Sequence, residues 1–79
     1  MKQMLELMLK ALIDYPDNMS VHETVADRTV VFEVRVKKED LGKVIGKQGR
    51  NVSAIRTILN AAAAKDRMKV HLSIPDQSR

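Results

Sequence analysis

The chain has 79 residues, of which 44% are hydrophobic and 30% charged, and it contains no cysteine. This length is enough for one small core, and the composition is typical of a globular chain rather than a disordered one. Without cysteine there is no disulfide, no thiol nucleophile and no zinc site of the cysteine type, which permits a reducing compartment.

The formal net charge of +4 conceals an uneven distribution. Residues 1–34 carry three basic and six acidic side chains, a balance of −3, and residues 35–79 carry eleven basic and four acidic ones, a balance of +7. The segment between Asp40 and Asp66 has no acidic residue but holds five basic ones, Lys43, Lys47, Arg50, Arg56 and Lys65. This concentration indicates a polyanionic partner, with a solvated basic surface as the alternative.

Residues 1–15 have the spacing of an amphipathic helix. At about 100° per residue, one apolar stripe collects Met1, Met4, Leu5, Met8, Ala11, Leu12 and Tyr15. Leu7, Leu9 and Ile13 widen the apolar arc to roughly 200°, about twice what a surface helix needs. These side chains are expected to pack in the core, with a docking face for a second protein chain as the alternative. Pro16 and the turn residues after it are expected to end the helix.

Two alternating segments follow and predict a β-hairpin. Met19, Val21 and Val25 alternate with polar residues, although Glu23 interrupts their apolar face. The second segment alternates more regularly, and its inner face is predicted to hold Val30, Phe32, Val34 and Val36. Residues 26–29 are expected to form the loop, of a turn type that the sequence leaves open because it has no glycine there.

The second half of the chain predicts two helices and a third strand. Leu41, Val44 and Ile45 have the spacing of a short helix, and a longer helix is expected from about Arg50 to Lys65. The inner face of the longer helix is predicted to hold Val52, Ile55, Ile58, Leu59, Ala62 and Ala63. The strand alternates Val70, Leu72 and Ile74. Pro75 is expected to end it, and residues 76–79 to form a flexible tail.

The order α-β-β-α-α-β predicts an α+β domain of two layers, a three-stranded sheet with helices on one face. No repeat or linker divides the sequence, so residues 1–79 are expected to form a single domain. No apolar run approaches the roughly 20 residues of a membrane span, and Lys2, Glu6 and Lys10 interrupt the start in a way that signal peptides do not. We therefore expect a cytoplasmic protein without membrane contact.

The most distinctive stretch is Val44-Ile45-Gly46-Lys47-Gln48-Gly49-Arg50-Asn51-Val52. Two glycines three residues apart permit a tight turn, and a helix that begins there presents its N–H groups and positive dipole end to an anion. A nucleotide P-loop is excluded because Leu41 replaces its first glycine and Gln48 its serine or threonine. The dinucleotide fingerprint needs a glycine at Val44. A helix-turn-helix needs more base-reading side chains than Arg50, Asn51 and Ser53.

The same nine residues resemble the signature of the KH family, in which Ile-Gly-x-x-Gly-x-x stands between apolar residues. The element order resembles the type II, bacterial arrangement of that family over the whole chain. KH domains clamp the backbone of about four single-stranded nucleotides with this GXXG loop. The chain is also similar to the small free-standing bacterial members of the family. That likeness implies an RNA-binding, chaperone-like protein that has a larger KH-containing partner, self-associates and is tied to the control of cell shape.

The resemblance assigns a role to each residue of the stretch. The clamp is formed by four residues, Gly46, Lys47, Gln48 and Gly49. The N–H groups near Gly49 and Arg50 are expected to meet phosphate oxygens, and positive charge is expected from Lys47 together with Arg50 or Lys43. The groove for the bases has three candidate residues that are equally candidates for the core, Leu41, Val44 and Val52. The basic rim is expected to extend over Arg35, Lys37, Lys38, Lys65, Arg67 and Lys69.

Other functions find less support in the sequence. RRM and OB-type domains stack bases on exposed aromatic rings, whereas this chain has only Tyr15 and Phe32. An aliphatic groove predicts modest affinity for RNA, micromolar or weaker. His22 and His71 fall on expected solvent faces, and no carboxylate pair or metal-ligand cluster is apparent, so we expect no enzyme activity and no cofactor. The alternative function is a protein-interaction or dimerisation module in which RNA binding is secondary.

Overall fold

The computed structural model describes residues 1–75, and its elements follow the predicted α-β-β-α-α-β order. The helices are α1 (Lys2–Leu12), α2 (Lys38–Ile45) and α3 (Arg50–Ala64). The strands are β1 (Ser20–Ala26), β2 (Thr29–Arg35) and β3 (Lys69–Ser73). Two short 3-10 helices lie in the connections, Pro16–Asn18 and Lys47–Gly49. The predicted tail at 76–79 lies outside the described residues. Within residues 1–75 no helix has the length and hydropathy needed to cross a bilayer.

The three strands form one mixed sheet in the order β1-β2-β3. β1 pairs antiparallel with β2, from Ser20 opposite Arg35 to Ala26 opposite Thr29. The loop between β1 and β2 therefore has two residues, fewer than the predicted 26–29, because Ala26 and Thr29 are paired. Within it, Asp27 takes a left-handed conformation with φ 54°. β3 pairs with β2 in parallel, because α2 and α3 return the chain to the edge of the sheet at which β2 begins.

The core lies between the sheet and the helices. Val30, Phe32 and Val34 are buried on one side of β2, as the alternation predicts. The helices add four fully buried side chains to the same cluster, Leu5, Leu9, Val44 and Leu59. The opposite face of the sheet carries exposed polar side chains, among them His22, Thr24 and His71. The predicted two-layer α+β architecture is confirmed.

α1 is shorter than predicted. The expectation of a helix over residues 1–15 is wrong at its end, because α1 stops at Leu12 and Ile13 is extended, with φ −102° and ψ 157°. The N–H groups of Asp14 and Tyr15 donate to the carboxylate of Asp40, at 3.0 and 2.9 Å, rather than to helical carbonyls. A contact with a residue about 25 positions further along the chain thus accompanies the end of the helix.

The apolar arc of α1 is only partly covered. Leu5 and Leu9 are buried, and three further residues are half-buried, Met4, Met8 and Leu12. Leu7 is 72% exposed. Three residues of the predicted stripe are exposed as well, Met1, Ala11 and Tyr15. The helix therefore packs on its Leu5–Leu9 side and leaves apolar surface outside the core.

α3 buries a narrower face than predicted. Its buried residues are Val52, Ile55, Leu59 and Ala63. The prediction that Ile58 lies on this face is wrong, since its side chain is 46% exposed. At 3.6 residues per turn, Ile58 points about 105° away from the centre of the buried stripe. Ala62 is half-buried at the edge of the stripe.

We expect Leu59→Ala to lower the free energy of unfolding by about 2–5 kcal/mol, because it opens a cavity at a side chain with no exposed surface. Ile58→Ala, one residue earlier on the outer side of α3, should lower it by less than about 1 kcal/mol. Urea unfolding followed by circular dichroism measures both values. Equal losses in the two variants would contradict the orientation of α3.

Candidate nucleic-acid interface

The two glycines of the distinctive stretch lie in a tight connection between α2 and α3, which we term the glycine turn (Gly46–Gly49). α2 ends at Ile45 and α3 begins at Arg50, so four residues redirect the chain. Three of them have positive φ, at 77° for Gly46, 58° for Gln48 and 74° for Gly49. Residues with a Cβ rarely adopt such angles, so the glycines are what permit this connection.

Gly46 is required by its surroundings as well as by its backbone angles. Its ψ is 172°, and this combination with a φ of 77° falls in a region that is essentially restricted to glycine. A Cβ at this position would lie 2.7 Å from Cγ of Asn51 and 2.8 Å from its backbone nitrogen. Asn51 therefore packs directly against the main chain of the turn. Gly49, by contrast, has open space where a Cβ would stand.

Gln48 is the one residue of the glycine turn that has both a Cβ and a left-handed backbone. That conformation costs about 1–2 kcal/mol for an L-amino acid. Hydrogen bonds inside the turn hold it, since the N–H of Gly49 donates to the carbonyl of Gly46 at 3.1 Å and the N–H of Arg50 donates to the carbonyl of Lys47. The two N–H groups expected to meet phosphate thus already donate within the turn.

Positive charge is exposed on both sides of Gly49. The side chains of Lys47 and Arg50 are exposed, and neither pairs with a carboxylate of residues 1–75. Arg50 is also the first residue of α3, where the helix dipole is positive. Lys43 differs, because its ammonium pairs with the carboxylate of Asp14 and lies 3.8 Å from that of Asp40.

The apolar candidates for the base groove are buried to different degrees. Val44 has no exposed surface and belongs to the core cluster, and Val52 is 9% exposed. Leu41 is half-buried and packs against the edge of that cluster. Of the three, Leu41 has the most side chain within reach of a ligand on the surface.

The other basic residues are dispersed. Arg35 pairs with Glu33 at 2.8 Å, and the ammonium of Lys37 lies 3.9 Å from the centre of the Tyr15 ring. Three further basic residues follow the end of α3, Lys65, Arg67 and Lys69. Because α3 has 15 residues, its length of about 22 Å separates that group from the glycine turn.

Two residues that support the turn were not recognised in the sequence. Asn51 donates from Nδ2 to the carbonyl of Lys43 at 2.8 Å and so joins the start of α3 to the end of α2. Asp40 lies in the first turn of α2, where an acidic side chain suits the helix dipole, yet it is fully buried. The spacing contains a signal for it, because Asp40 precedes the buried Val44 by four residues and so shares its helical face.

Comparison with known proteins identifies the family. The family model described as KhpA/KhpB, KH domain matches residues 2–74. The chain belongs to this family. It is similar over nearly its full length to proteins named RNA-binding protein KhpA. The relative from Clostridium acetobutylicum is 47% identical over 74 residues, which cover 94% of this chain and 99% of the relative.

Two further relatives carry the same name. The protein from Clostridium perfringens is 45% identical over 74 residues, again 94% of this chain and 99% of the relative. The protein from Chlamydia trachomatis serovar D is 40% identical over 77 residues, 98% of this chain and 99% of the relative. The resemblance to the KH family predicted from residues 44–52 and from the element order is confirmed.

The three glycines should respond differently to alanine. Gly46→Ala combines an unfavourable backbone with a collision against Asn51 and should destabilise most, by more than the roughly 1–2 kcal/mol expected for Gly49→Ala from the backbone alone. Gly42→Ala, inside α2 with nothing within 4 Å of the added carbon, should stabilise by up to about 1 kcal/mol. Urea unfolding measures the series. A Gly46→Ala variant as stable as Gly42→Ala would contradict the described turn.

Proposed function

We propose that the protein binds single-stranded RNA, with the glycine turn as a clamp for the sugar-phosphate backbone. The observation that carries the proposal is the turn itself, in which a half-exposed glycine, Gly49, lies at the N-terminus of α3 between the exposed side chains of Lys47 and Arg50. The name RNA-binding protein KhpA, borne by the relatives, supports the same function.

Each residue of the turn has a place in this proposal. Gly49 allows a phosphate to approach the main chain, because nothing lies within 4 Å of the place of its Cβ, whereas Gly46 permits the turn and the close packing of Asn51. Lys47 and Arg50 provide the charges, and the exposed Gln48 provides hydrogen bonds. The N–H groups of Gly49 and Arg50 also bond within the turn. The phosphate contact is therefore assigned mainly to the two cationic side chains and to the dipole of α3.

The bases are assigned to the surface beside α2, next to the half-buried Leu41. Val44 is too deeply buried to present its side chain there and supports this surface from below. Base stacking on aromatic rings has little support, because Phe32 is fully buried and Tyr15 already has Lys37 over its ring. A single domain of this kind is expected to bind RNA with micromolar or weaker affinity and with little sequence preference.

The biological role that we propose follows the small bacterial members that the sequence resembles. The protein would act in the cytoplasm as an RNA chaperone, without enzyme activity, and would work with a larger KH-containing partner in the control of cell shape. The family description names KhpA and KhpB together, which supports a relation to a second KH protein.

A second candidate function is self-association or docking to a partner, and a specific observation favours it. Leu7 on α1 is 72% exposed and Ile58 on α3 is 46% exposed, although both are large and apolar. Dimerisation would add avidity to a weak RNA site, so the two functions are compatible. Sedimentation at high micromolar concentration should detect a dimer, and Ile58→Lys with Leu7→Lys should dissociate it. A strictly monomeric wild-type protein would count against this function.

Replacing Lys47 and Gln48 together with aspartate should reduce affinity for single-stranded RNA more than about tenfold, because repulsion replaces a phosphate contact. The fold should persist, since aspartate tolerates the left-handed backbone at position 48. Fluorescence anisotropy with a labelled oligouridine measures binding, and circular dichroism checks the fold.

The matched control is Lys2→Asp with Gln3→Asp. It makes the same two replacements at exposed positions in the first turn of α1, where acidic side chains favour the helix. The control should retain most of the RNA affinity. Unaltered affinity in the variant at positions 47 and 48 would refute the clamp. Equal losses in both variants would show that the loss of affinity comes from net charge and not from a clamp at the turn.

A further inference from the structure

Asp40 is the charged side chain that the described residues bury completely. Its two carboxylate oxygens accept from different backbone groups, Oδ1 from the N–H of Asp14 at 3.0 Å and Oδ2 from the N–H of Tyr15 at 2.9 Å. A buried carboxylate is tolerated only when such partners replace water. Asp40 thereby ties the first turn of α2 to the segment that follows α1.

Lys43 lies one helical turn after Asp40 and completes this contact. Its ammonium is 3.8 Å from Oδ1 of Asp40 and is bonded to the carboxylate of Asp14. The bond to Asp14 raises the pKa of Lys43 above its ordinary value. Burial alone would raise the pKa of Asp40, but the two N–H groups, Lys43 and Lys37 outweigh burial and hold that pKa below its ordinary value. Both groups are therefore charged at neutral pH.

α2 connects these charges to the glycine turn. The helix has eight residues, with Asp40 in its first turn and Lys43 in its last. The N–H of Gly46 donates to the carbonyl of Gly42 at 2.8 Å, and Nδ2 of Asn51 donates to the carbonyl of Lys43 at 2.8 Å. The position of α2 thus determines where the turn and the start of α3 lie.

We propose that Asp14, Asp40 and Lys43 form a charge cluster, buried at Asp40 and exposed at the other two side chains, that positions α2 and the glycine turn, and that Lys43 serves this cluster instead of contacting RNA. The proposal rests on the function assigned to the glycine turn above. It gives the two lysines different roles, since Lys47 contacts RNA and Lys43 belongs to the charge cluster. Asp40 is a positioning residue in this scheme, since it acts on the turn through α2.

The cluster has a measurable consequence for RNA binding. Two carboxylates hold the ammonium of Lys43, although its side chain is 45% exposed, so we expect it to contribute little positive charge toward a phosphate. The clamp is left with two cations, Lys47 and Arg50. Each phosphate contact to a single strand contributes about 0.7 to the slope of log affinity against log salt, so two contacts predict a slope of about −1.4.

The test compares three lysines replaced by glutamine. Lys47→Gln should make the slope shallower by about 0.7 and leave the urea midpoint unchanged, because it removes a phosphate contact only. Lys43→Gln should lower the urea midpoint and leave the slope unchanged, because it removes a partner of buried Asp40. Lys65→Gln, an exposed lysine beyond the far end of α3, should change neither. The measurements are oligouridine binding over a salt series and urea unfolding.

These outcomes distinguish the role of Lys43 in the charge cluster from the role of the glycine turn in RNA binding. A shallower slope in Lys43→Gln, whatever its stability, would overturn the assignment of Lys43 to the cluster. An unchanged slope in Lys47→Gln would instead refute the clamp, while a lowered midpoint in Lys43→Gln would still support the charge cluster.

Asp40→Asn tests the positioning role, because it removes the charge and changes no basic residue. It should weaken oligouridine binding several-fold at unchanged slope, measured at a temperature where circular dichroism shows a folded protein. A purely structural Asp40 would lower stability and leave the affinity of the folded protein unchanged, and that result would overturn the positioning role.

Asp14→Asn keeps the test decisive if Asp40→Asn does not fold, since it leaves both N–H bonds to Asp40 in place. The slope should not change, because Lys43 stays beside Asp40. A slope steeper by about 0.7 would mean that Asp14, and not Asp40, keeps Lys43 from a phosphate in the wild-type protein, and this would overturn the role of Asp40 in holding Lys43.

Discussion

The structure depends on one constraint, which is that the chain must pass from α2 to α3 within four residues. This requires positive φ at three of them, Gly46, Gln48 and Gly49. The unfavourable backbone at Gln48 is offset by the packing of the helices on either side, whose Val44 and Val52 are buried in one core. The same geometry exposes Lys47 and Arg50 beside the positive end of α3. Folding and the proposed binding thus rest on the same glycines.

α2 is the element through which this constraint reaches the rest of the domain. A helix of eight residues has little stability of its own, so its position has to be fixed by tertiary contacts. Val44 fixes it through the core, Asp40 through two backbone N–H groups, and Asn51 through the last turn. A small domain has few such contacts, and a buried carboxylate among them is specific because it accepts only correctly placed donors.

Residue patterns within a short stretch of sequence correctly predicted the features that depend on that stretch alone. The alternation of Val30, Phe32 and Val34 predicted the inner face of β2, and residues 44–52 predicted both the turn and the family. The end of α1 could not be predicted in this way, because the N–H groups that leave the helix bond to Asp40, a residue distant in the sequence. The prediction that Ile58 is buried was wrong for a related reason, since the extent to which neighbouring elements cover α3 depends on tertiary packing. The burial of Asp40 could have been predicted from the sequence, because its spacing to Val44 places it on the inner face of α2. Only its charge favoured an exposed position.

The central claim is that single-stranded RNA contacts the glycine turn, and its most direct test is a nitrogen-15 NMR titration of the wild-type protein with a short oligouridine. The account predicts that the largest shifts occur at the amides of residues 46–51 and that they diminish as salt is added. Amides of residues 64–69, at and beyond the far end of α3, should move little. Shifts concentrated at residues 64–69 or on the exposed sheet face around His22 and His71, with residues 46–51 unmoved, would contradict it.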